Sequence, residues 1–232
     1  METFAIALSL IVSGDAELYE IVGLSLKVSL SAVVLASLIG IPLGAILASR
    51  AFWGRDAIVV LATTFMALPP VVAGLAIYLL LSRAGPLGSF GLLFTTTAMI
   101  IAQAVLIFPI VTALTREAVL PLNREYRDLL VSVDASFALT LRTLVWDARF
   151  AIATAILAGF GRAIAEVGAV LIVGGNIDGV TRVMTTTIAL ETSKGNLEIA
   201  LALGVVLLLL AFAVNLATFG VSRIGQRYQV AE

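Results

Sequence analysis

The chain contains neither cysteine nor histidine. Without cysteine it has no disulfide framework and no thiolate metal site, and without histidine it lacks the commonest general base and metal ligand. It also lacks a glycine-rich phosphate loop ending in Gly-Lys-Ser/Thr and a nucleophile with a base beside it. These absences argue against an enzyme with its own catalytic site, and no cofactor is expected in this chain.

Charge is scarce as well. Only 12% of the residues are charged, against about 25% in an average soluble domain. Hydrophobic residues make up 61% of the chain, and its mean hydropathy is +1.13. This composition predicts a polytopic membrane protein, and a net charge of -1 gives no indication of a nucleic-acid partner.

The apolar runs predict five full transmembrane helices, each near the ~20 residues that cross a bilayer core. They lie at about 21–48, 57–81, 92–114, 150–173 and 197–221. A shorter run at 4–12 predicts an interfacial helix. The expected fold is therefore all-α, with one transmembrane domain over residues 1–232.

Prolines interrupt the second predicted span. Pro69 and Pro70 remove backbone donors from its centre. A broken helix persists in a membrane only where protein or a water-filled cavity satisfies the freed carbonyls. The second span is therefore expected to face the interior of the helix bundle.

The basic residues predict the orientation. Five spans place the turn with Arg50 and Arg55, the segment 116–149 and the tail with Arg223 and Arg227 on one side, which collects nine of the fourteen basic residues. By the positive-inside rule that side is cytoplasmic. The N-terminus is then outside and the C-terminus cytoplasmic.

The cytoplasmic segment 121–149, PLNREYRDLLVSVDASFALTLRTLVWDAR, is the one long charged stretch. It keeps a helical pattern of Leu and Val, which predicts two short helices joined at Asp134, with Ser136 capping the second. Such a pattern is typical of a docking surface. The alternative is a solvated loop that merely joins two spans.

This segment resembles the EAA loop of ABC importer permeases, in which an acidic residue is followed six positions later by Gly, then Ala and Ser. Asp128 takes the acidic position, and Ala135 and Ser136 match the residues after the Gly. Two positions depart from the pattern: Asp134 stands where the family has Gly, and Val145 where many members have the Pro of a Leu-Pro pair. In the family this loop forms coupling helices that sit in a groove of the ATPase. The candidate coupling residues are Arg127, Asp128, Asp134, Ala135 and Ser136.

The resemblance covers nearly the whole chain from about residue 21, through IPLGAIL, ALPPVVAGL, AGFGRAIAEVGAVLIVGGNIDG and VMTTTIALETSKGN. It is closest to permeases for molybdate, sulfate and especially tungstate. It implies a homodimer around a central path in a bacterial or archaeal plasma membrane, two ATPase subunits that use ATP and Mg, and an external binding protein. The alternatives are a molybdate or sulfate permease, a stand-alone channel or secondary carrier, and a structural membrane subunit.

Two further features are candidates for the translocation path or its gate. Arg162 and Glu166 are four residues apart and would share one helix face, either as a structural ion pair or in the path. The stretch 174–196, predicted to be external, offers a chain reversal at the glycines, an amide able to cap backbone groups and a run of hydroxyls for an anion; the alternative is an ordinary external loop. The candidates for path or gate are Pro69, Pro70, Arg162, Glu166, Gly174, Gly175, Asn176, Thr185, Thr186 and Thr187.

Overall fold

The computed structural model describes residues 2–230. Within that range the chain forms eleven α-helices and one short 3₁₀ turn, and no strand, which confirms the all-α prediction. The helices are α1 (Glu2–Ser13), α2 (Ala16–Ser49), α3 (Arg55–Met66), α4 (Pro70–Leu81), α5 (Thr96–Glu125), α6 (Arg127–Ser132), α7 (Phe137–Asp147), α8 (Arg149–Ile164), α9 (Gly168–Gly174), α10 (Met184–Lys194) and α11 (Leu197–Val230).

Three helices, α2, α5 and α11, are continuous and apolar enough to cross a membrane. They correspond to the predicted spans at 21–48, 92–114 and 197–221, with corrected ends. The helix α5 begins only at Thr96, where the Thr95 hydroxyl accepts the N–H of Ala98, and it continues to Glu125. The first residues of the charged segment 121–149 are thus the end of a membrane helix, since Arg and Glu are good helix formers in water.

The other two predicted spans are not single helices. The second divides at 67–69 into α3 and α4, which meet at 108°, as expected from an extended Pro69 followed by Pro70 at the first turn of α4. The span at 150–173 divides at 165–167 into α8 and α9. The helices α7 and α8 also meet at an angle, of 70°. Within the described residues, the number of candidate membrane spans is three, or five if the bent pairs α3–α4 and α7–α8 are each counted as one span.

The core is built around α2 and α5, which lie side by side along most of their length. Small residues permit this approach. A Cβ at Gly44 of α2 would lie 2.5 Å from the carbonyl oxygen of Thr112 on α5. The same device joins the two broken spans, since a Cβ at Gly74 of α4 would lie 2.7 Å from the Cα of Ala169 on α9.

The stretch 174–196 is not an ordinary loop. It contains α10, which packs against α11 and α2, and whose first residue, Met184, donates its N–H to the buried Ser25 hydroxyl of α2 at 2.8 Å. The run at 4–12 is helical, as predicted, and lies within α1, which packs along α11.

Candidate functional site

Residues 127–136, called here the coupling knob, consist of α6 and the turn that follows it. The turn is closed by backbone hydrogen bonds from Asp134 N–H to the Val131 carbonyl at 3.1 Å and from Ala135 N–H to the Leu130 carbonyl at 2.9 Å. Asp134 itself has φ +48°, in the left-handed region. The Ser136 hydroxyl accepts the N–H of Leu139 and begins α7. Two helices joined at Asp134 with Ser136 as cap are thus confirmed.

The knob projects from the rest of the chain. No residue of α6 is buried, and both Arg127 and Asp128 are exposed. Its apolar side chains are exposed too, with Leu129 at 62%, Val131 at 74% and Val133 at 63%. Apolar side chains held in water beside charged ones suit a surface that another protein covers. The role of the knob in ATPase coupling stays a prediction.

The helix after the knob is anchored to both central helices. Leu144 of α7 is fully buried in a cluster with Ala45 and Ala48 of α2 and Val119 of α5. The Arg50 guanidinium at the end of α2 lies 4.7 Å from the centre of the Phe137 ring at the start of α7. The helix that follows the knob therefore contacts α2 and α5 together. Sequence reasoning missed the Arg50–Phe137 contact, because nothing in the spacing of two such distant residues indicates it.

Arg162 and Glu166 do pair, although not on a continuous helix. The helix α8 ends at Ile164, yet the Arg162 Nη1 lies 3.1 Å from the Glu166 Oε2. The other oxygen, Oε1, accepts the N–H of Ala169 at 3.1 Å and so caps the first turn of α9. Glu166 is 4% exposed, whereas the Arg162 side chain is 39% exposed. The carboxylate thus stabilises the helix break, and the guanidinium remains accessible.

The chain reverses after α9, as predicted. Gly175 has φ +71° and Asn176 has φ +52°, both left-handed. Thr181 supplies the capping, because its hydroxyl donates to the buried Gly174 carbonyl at 2.6 Å and accepts the Ile177 N–H at 2.9 Å. The Asn176 Oδ1 is buried with no hydrogen-bond partner in the described structure, so this oxygen caps no backbone group here. Sequence reasoning missed Thr181.

The three consecutive threonines of α10 are buried. The Thr185 hydroxyl donates to the Glu166 carbonyl at 2.7 Å, and those of Thr186 and Thr187 donate to the Val183 carbonyl at 3.0 and 2.8 Å. These hydroxyls therefore satisfy backbone groups at the helix break and at the start of α10. Their place along an anion path stays a prediction.

The two helix breaks lie next to each other. Val71 follows Pro69 and Pro70, and a Cβ at Gly168, just after Glu166, would lie 2.8 Å from the Val71 Cγ2. The candidates from the second and fourth predicted spans thus form one region, called here the break region. The break region is distinct from the coupling knob. The continuous helix α5 packs against α4, α8 and α9, the helices on the two sides of this region.

At the end of α10, Glu191 forms a separate polar cluster. Its carboxylate accepts the Lys194 ammonium at 2.8 Å and the Asn196 amide at 2.7 Å. These two hydrogen bonds, with Lys194 first, hold the pKa of Glu191 below its ordinary value of 4.5. In the part of the chain that the structure covers, no group of three or more carboxylates gathers where it could hold a metal ion.

Comparison with known proteins gives a family match over residues 40–223, to the model described as "Binding-protein-dependent transport system inner membrane component". A tungstate uptake system permease protein, TupB, of Peptoclostridium acidaminophilum is 40% identical over 214 residues, covering 92% of this chain and 94% of that protein. A probable anion ABC transporter permease protein of Haloferax volcanii is 42% identical over 203 residues, covering 85% and 88%. TupB of Campylobacter jejuni is 42% identical over 160 residues, covering 69% and 67%.

Proposed function

Because this chain belongs to the family of binding-protein-dependent transport system inner membrane components, we propose that it forms the membrane path of an ATP-driven tungstate importer. The chain is an ABC transporter permease, a multi-pass membrane protein without an ATPase site of its own. Its family works with a binding protein and a separate ATPase, and this ATPase uses ATP and Mg.

The single observation that carries the choice of tungstate is the graded similarity to relatives. Two relatives described as tungstate uptake permeases are 40 and 42% identical to the chain. Relatives described as molybdenum or sulfate transport proteins are 25 to 28% identical. Molybdate and sulfate are therefore the alternative substrates, and all three anions carry the same charge and tetrahedral shape. Selectivity among them resides mostly in the binding protein.

The partly exposed Arg162 supports a path along the face of the chain that carries it. Arg162 lies thirteen residues beyond the start of α8, roughly 20 Å along the helix at 1.5 Å per residue. A charged group at such depth is costly in lipid, so it faces another protein or a water-filled cavity. A second copy of this chain placed against this face encloses a path between the two copies. Arg162 then offers a positive charge to an anion.

The coupling knob supports the connection to the ATPase. When ATP binding closes the ATPase subunits, the knob moves with them, and its anchor at Leu144 passes the displacement to α2 and α5. The break region then opens outwards and receives the anion from the binding protein. Hydrolysis returns the permease to its inward-open state. The cycle requires the knob to be in the cytoplasm. With five spans, the N-terminus is then outside and the C-terminus is in the cytoplasm.

Reconstitution tests the proposal. The chain is placed in liposomes with its ATPase and binding protein, and uptake of tungstate, molybdate and sulfate is measured with and without ATP. We expect ATP-dependent uptake with tungstate preferred, and none from liposomes that contain this chain alone. Uptake by the chain alone would identify a channel or secondary carrier, and a preference for molybdate or sulfate would reassign the substrate.

A further inference from the structure

The side chain of Gln103, on α5, is buried beside the break between α8 and α9. It is 4% exposed, and its Nε2 donates to the Ala163 carbonyl at 3.0 Å, a contact between residues 60 positions apart. Only the NH₂ of an amide can serve a carbonyl, so the Oε1 must point elsewhere. That oxygen is buried and has no hydrogen-bond partner among the described residues.

The Ala163 carbonyl is one of the last of α8 and already accepts the Glu166 N–H at 3.1 Å, so the Gln103 amide is a further donor to it. Other polar groups at this break are also paired, some of them by distant parts of the chain. Thr185 of α10 donates to the Glu166 carbonyl, and Glu166 itself caps α9. Gln103 is the contribution of α5. It therefore links the break directly to the helix that packs against the knob's anchor.

The unpaired oxygen is a cost in this conformation. A buried acceptor without a donor lowers the stability of a fold inside the membrane. An apolar side chain of the same length would avoid that cost. A second backbone arrangement that brings an N–H group to this oxygen would satisfy both ends of the amide. At the break the Glu166 N–H bonds the Ala163 carbonyl and the Ala169 N–H bonds the Glu166 Oε1, so the second donor would come from a rearrangement of such backbone bonds.

We propose that Gln103 is a positioning residue of the transport cycle: its NH₂ holds the end of α8 in the present conformation, and its Oε1 receives an N–H of the break in the alternate one. The proposal rests on the proposed function, because it assigns the break region a movement during transport. Gln103 contacts neither the anion nor the ATPase. It acts through the position of Arg162, one residue before Ala163.

The test is Gln103→Met, which keeps the length of the side chain and removes both the bond to the Ala163 carbonyl and the bond proposed for the alternate conformation. Its matched control is Gln226→Met on the exposed face of α11. In the reconstituted complex we expect Gln103→Met to transport about tenfold less anion per ATP hydrolysed, the effect of losing one or two buried hydrogen bonds in one state of a two-state equilibrium. The control should keep the ratio of the unsubstituted complex.

A second readout does not depend on which anion is carried. The chain has no cysteine, so spin labels at Ala158→Cys and Leu171→Cys, both exposed positions on α8 and α9, report the distance across the break. In the complex we expect this distance to differ between the nucleotide-free state and the state trapped with ATP and vanadate. With Gln103→Met the difference should shrink or the distances broaden, while Gln226→Met should leave them unchanged.

Three results overturn the inference: a distance that nucleotide does not change, a Gln103→Met complex whose labels and transport per ATP match the control, or a lowered thermal stability with both of those readouts intact. The last result would make Gln103 a purely structural residue. If the labels respond as expected but no tungstate enters, the inference stands and the substrate assignment fails.

Discussion

At the scale of single residues, one backbone torsion shapes the coupling knob. Asp134 adopts φ +48°, a conformation that costs an L-residue about 1 kcal/mol and glycine almost nothing. We expect Asp134→Gly to raise the free energy of unfolding by about that amount and to keep ATPase stimulation by the anion. Thermal denaturation of the purified complex and its ATPase rate measure the two effects.

The control for this position is Asp134→Val. A β-branched side chain is a genuine outlier at positive φ, so the variant should be less stable than the unsubstituted chain. If Asp134→Gly is stable but no longer couples ATP hydrolysis to transport, the carboxylate itself contacts the ATPase.

Glu191 makes the stability of α10 depend on pH. Hydrogen bonds from Lys194 and Asn196 lower its pKa in the folded protein below 4.5. A lowered folded pKa contributes stability that is present above the unfolded pKa and is lost as the pH falls through the folded value. We expect the chain to lose this contribution below about pH 4.5. Glu191→Gln should cost about 1 to 2 kcal/mol at pH 7 and flatten that part of the pH profile.

The comparison variant is Glu198→Gln, at the start of α11, a carboxylate with no ion pair among the described residues. Thermal stability measured from pH 7 down to about pH 3, through the window below the unfolded pKa, should separate the two. If the stability of Glu191→Gln falls with decreasing pH in parallel with that of the unsubstituted chain, Glu191 is not the source of the pH dependence.

At the scale of elements, the contact between α2 and α5 depends on Gly44. A Cβ there would lie 2.5 Å from the Thr112 carbonyl oxygen and 2.8 Å from the Thr115 Cβ. Because the nearest obstacle is backbone, Gly44→Ala should lower the free energy of unfolding by about 1 to 3 kcal/mol. Gly23→Ala in the same helix meets nothing within 4 Å and should be neutral or slightly stabilising. Equal melting temperatures for the two variants would contradict this packing.

The coupling knob can be tested as an element. Replacing residues 124–136 by a Gly and Ser linker should release the ATPase on co-purification, while the permease still inserts. A finer variant changes Leu129, Val131 and Val133 to Ser, with Ile224→Ser as its control, since Ile224 is 48% exposed on the predicted cytoplasmic end of α11. We expect the triple variant to weaken ATPase binding at least tenfold, because it removes the exposed apolar surface of the knob. An ATPase that stays bound to the linker variant would exclude the knob as its docking site.

At the scale of the whole molecule, substitution of Arg162 separates its contribution to the stability of the assembly from its contribution to anion transport. Its removal leaves the buried Glu166 carboxylate with only the Ala169 N–H. The usual cost of breaking a buried pair is reduced here by the exposure of Arg162, so Arg162→Ala should destabilise the assembled complex by about 1 to 3 kcal/mol. The double variant with Glu166→Gln should recover much of that loss. Anion uptake that falls more than this loss of stability explains would support the proposed place of Arg162 in the path, whereas lost stability with uptake per assembled complex intact would leave it only a structural role.

The knob shows how far local sequence signals reach. Its helices, their junction at Asp134 and the Ser136 cap follow from neighbouring residues, because caps and turns are satisfied within a few positions. The break before Pro70 could be predicted for the same reason. The break after Ile164 could not, because no proline or adjacent glycine pair precedes it, and the Ala163 and Glu166 carbonyls on its two sides accept hydrogen bonds from Gln103 and Thr185 on distant helices.

The sequence by itself determined the class of this protein: an all-α membrane chain with apolar helices, one charged segment between them and the motifs of an ABC permease. Hydropathy and helix periodicity are properties of contiguous residues, so they need no knowledge of the fold. Only the tertiary structure decided that the threonines of α10 serve backbone groups, that the two breaks adjoin and that α5 caps α8. Those outcomes depend on which distant polar group can satisfy a buried one, and that pairing exists only once the helices have packed.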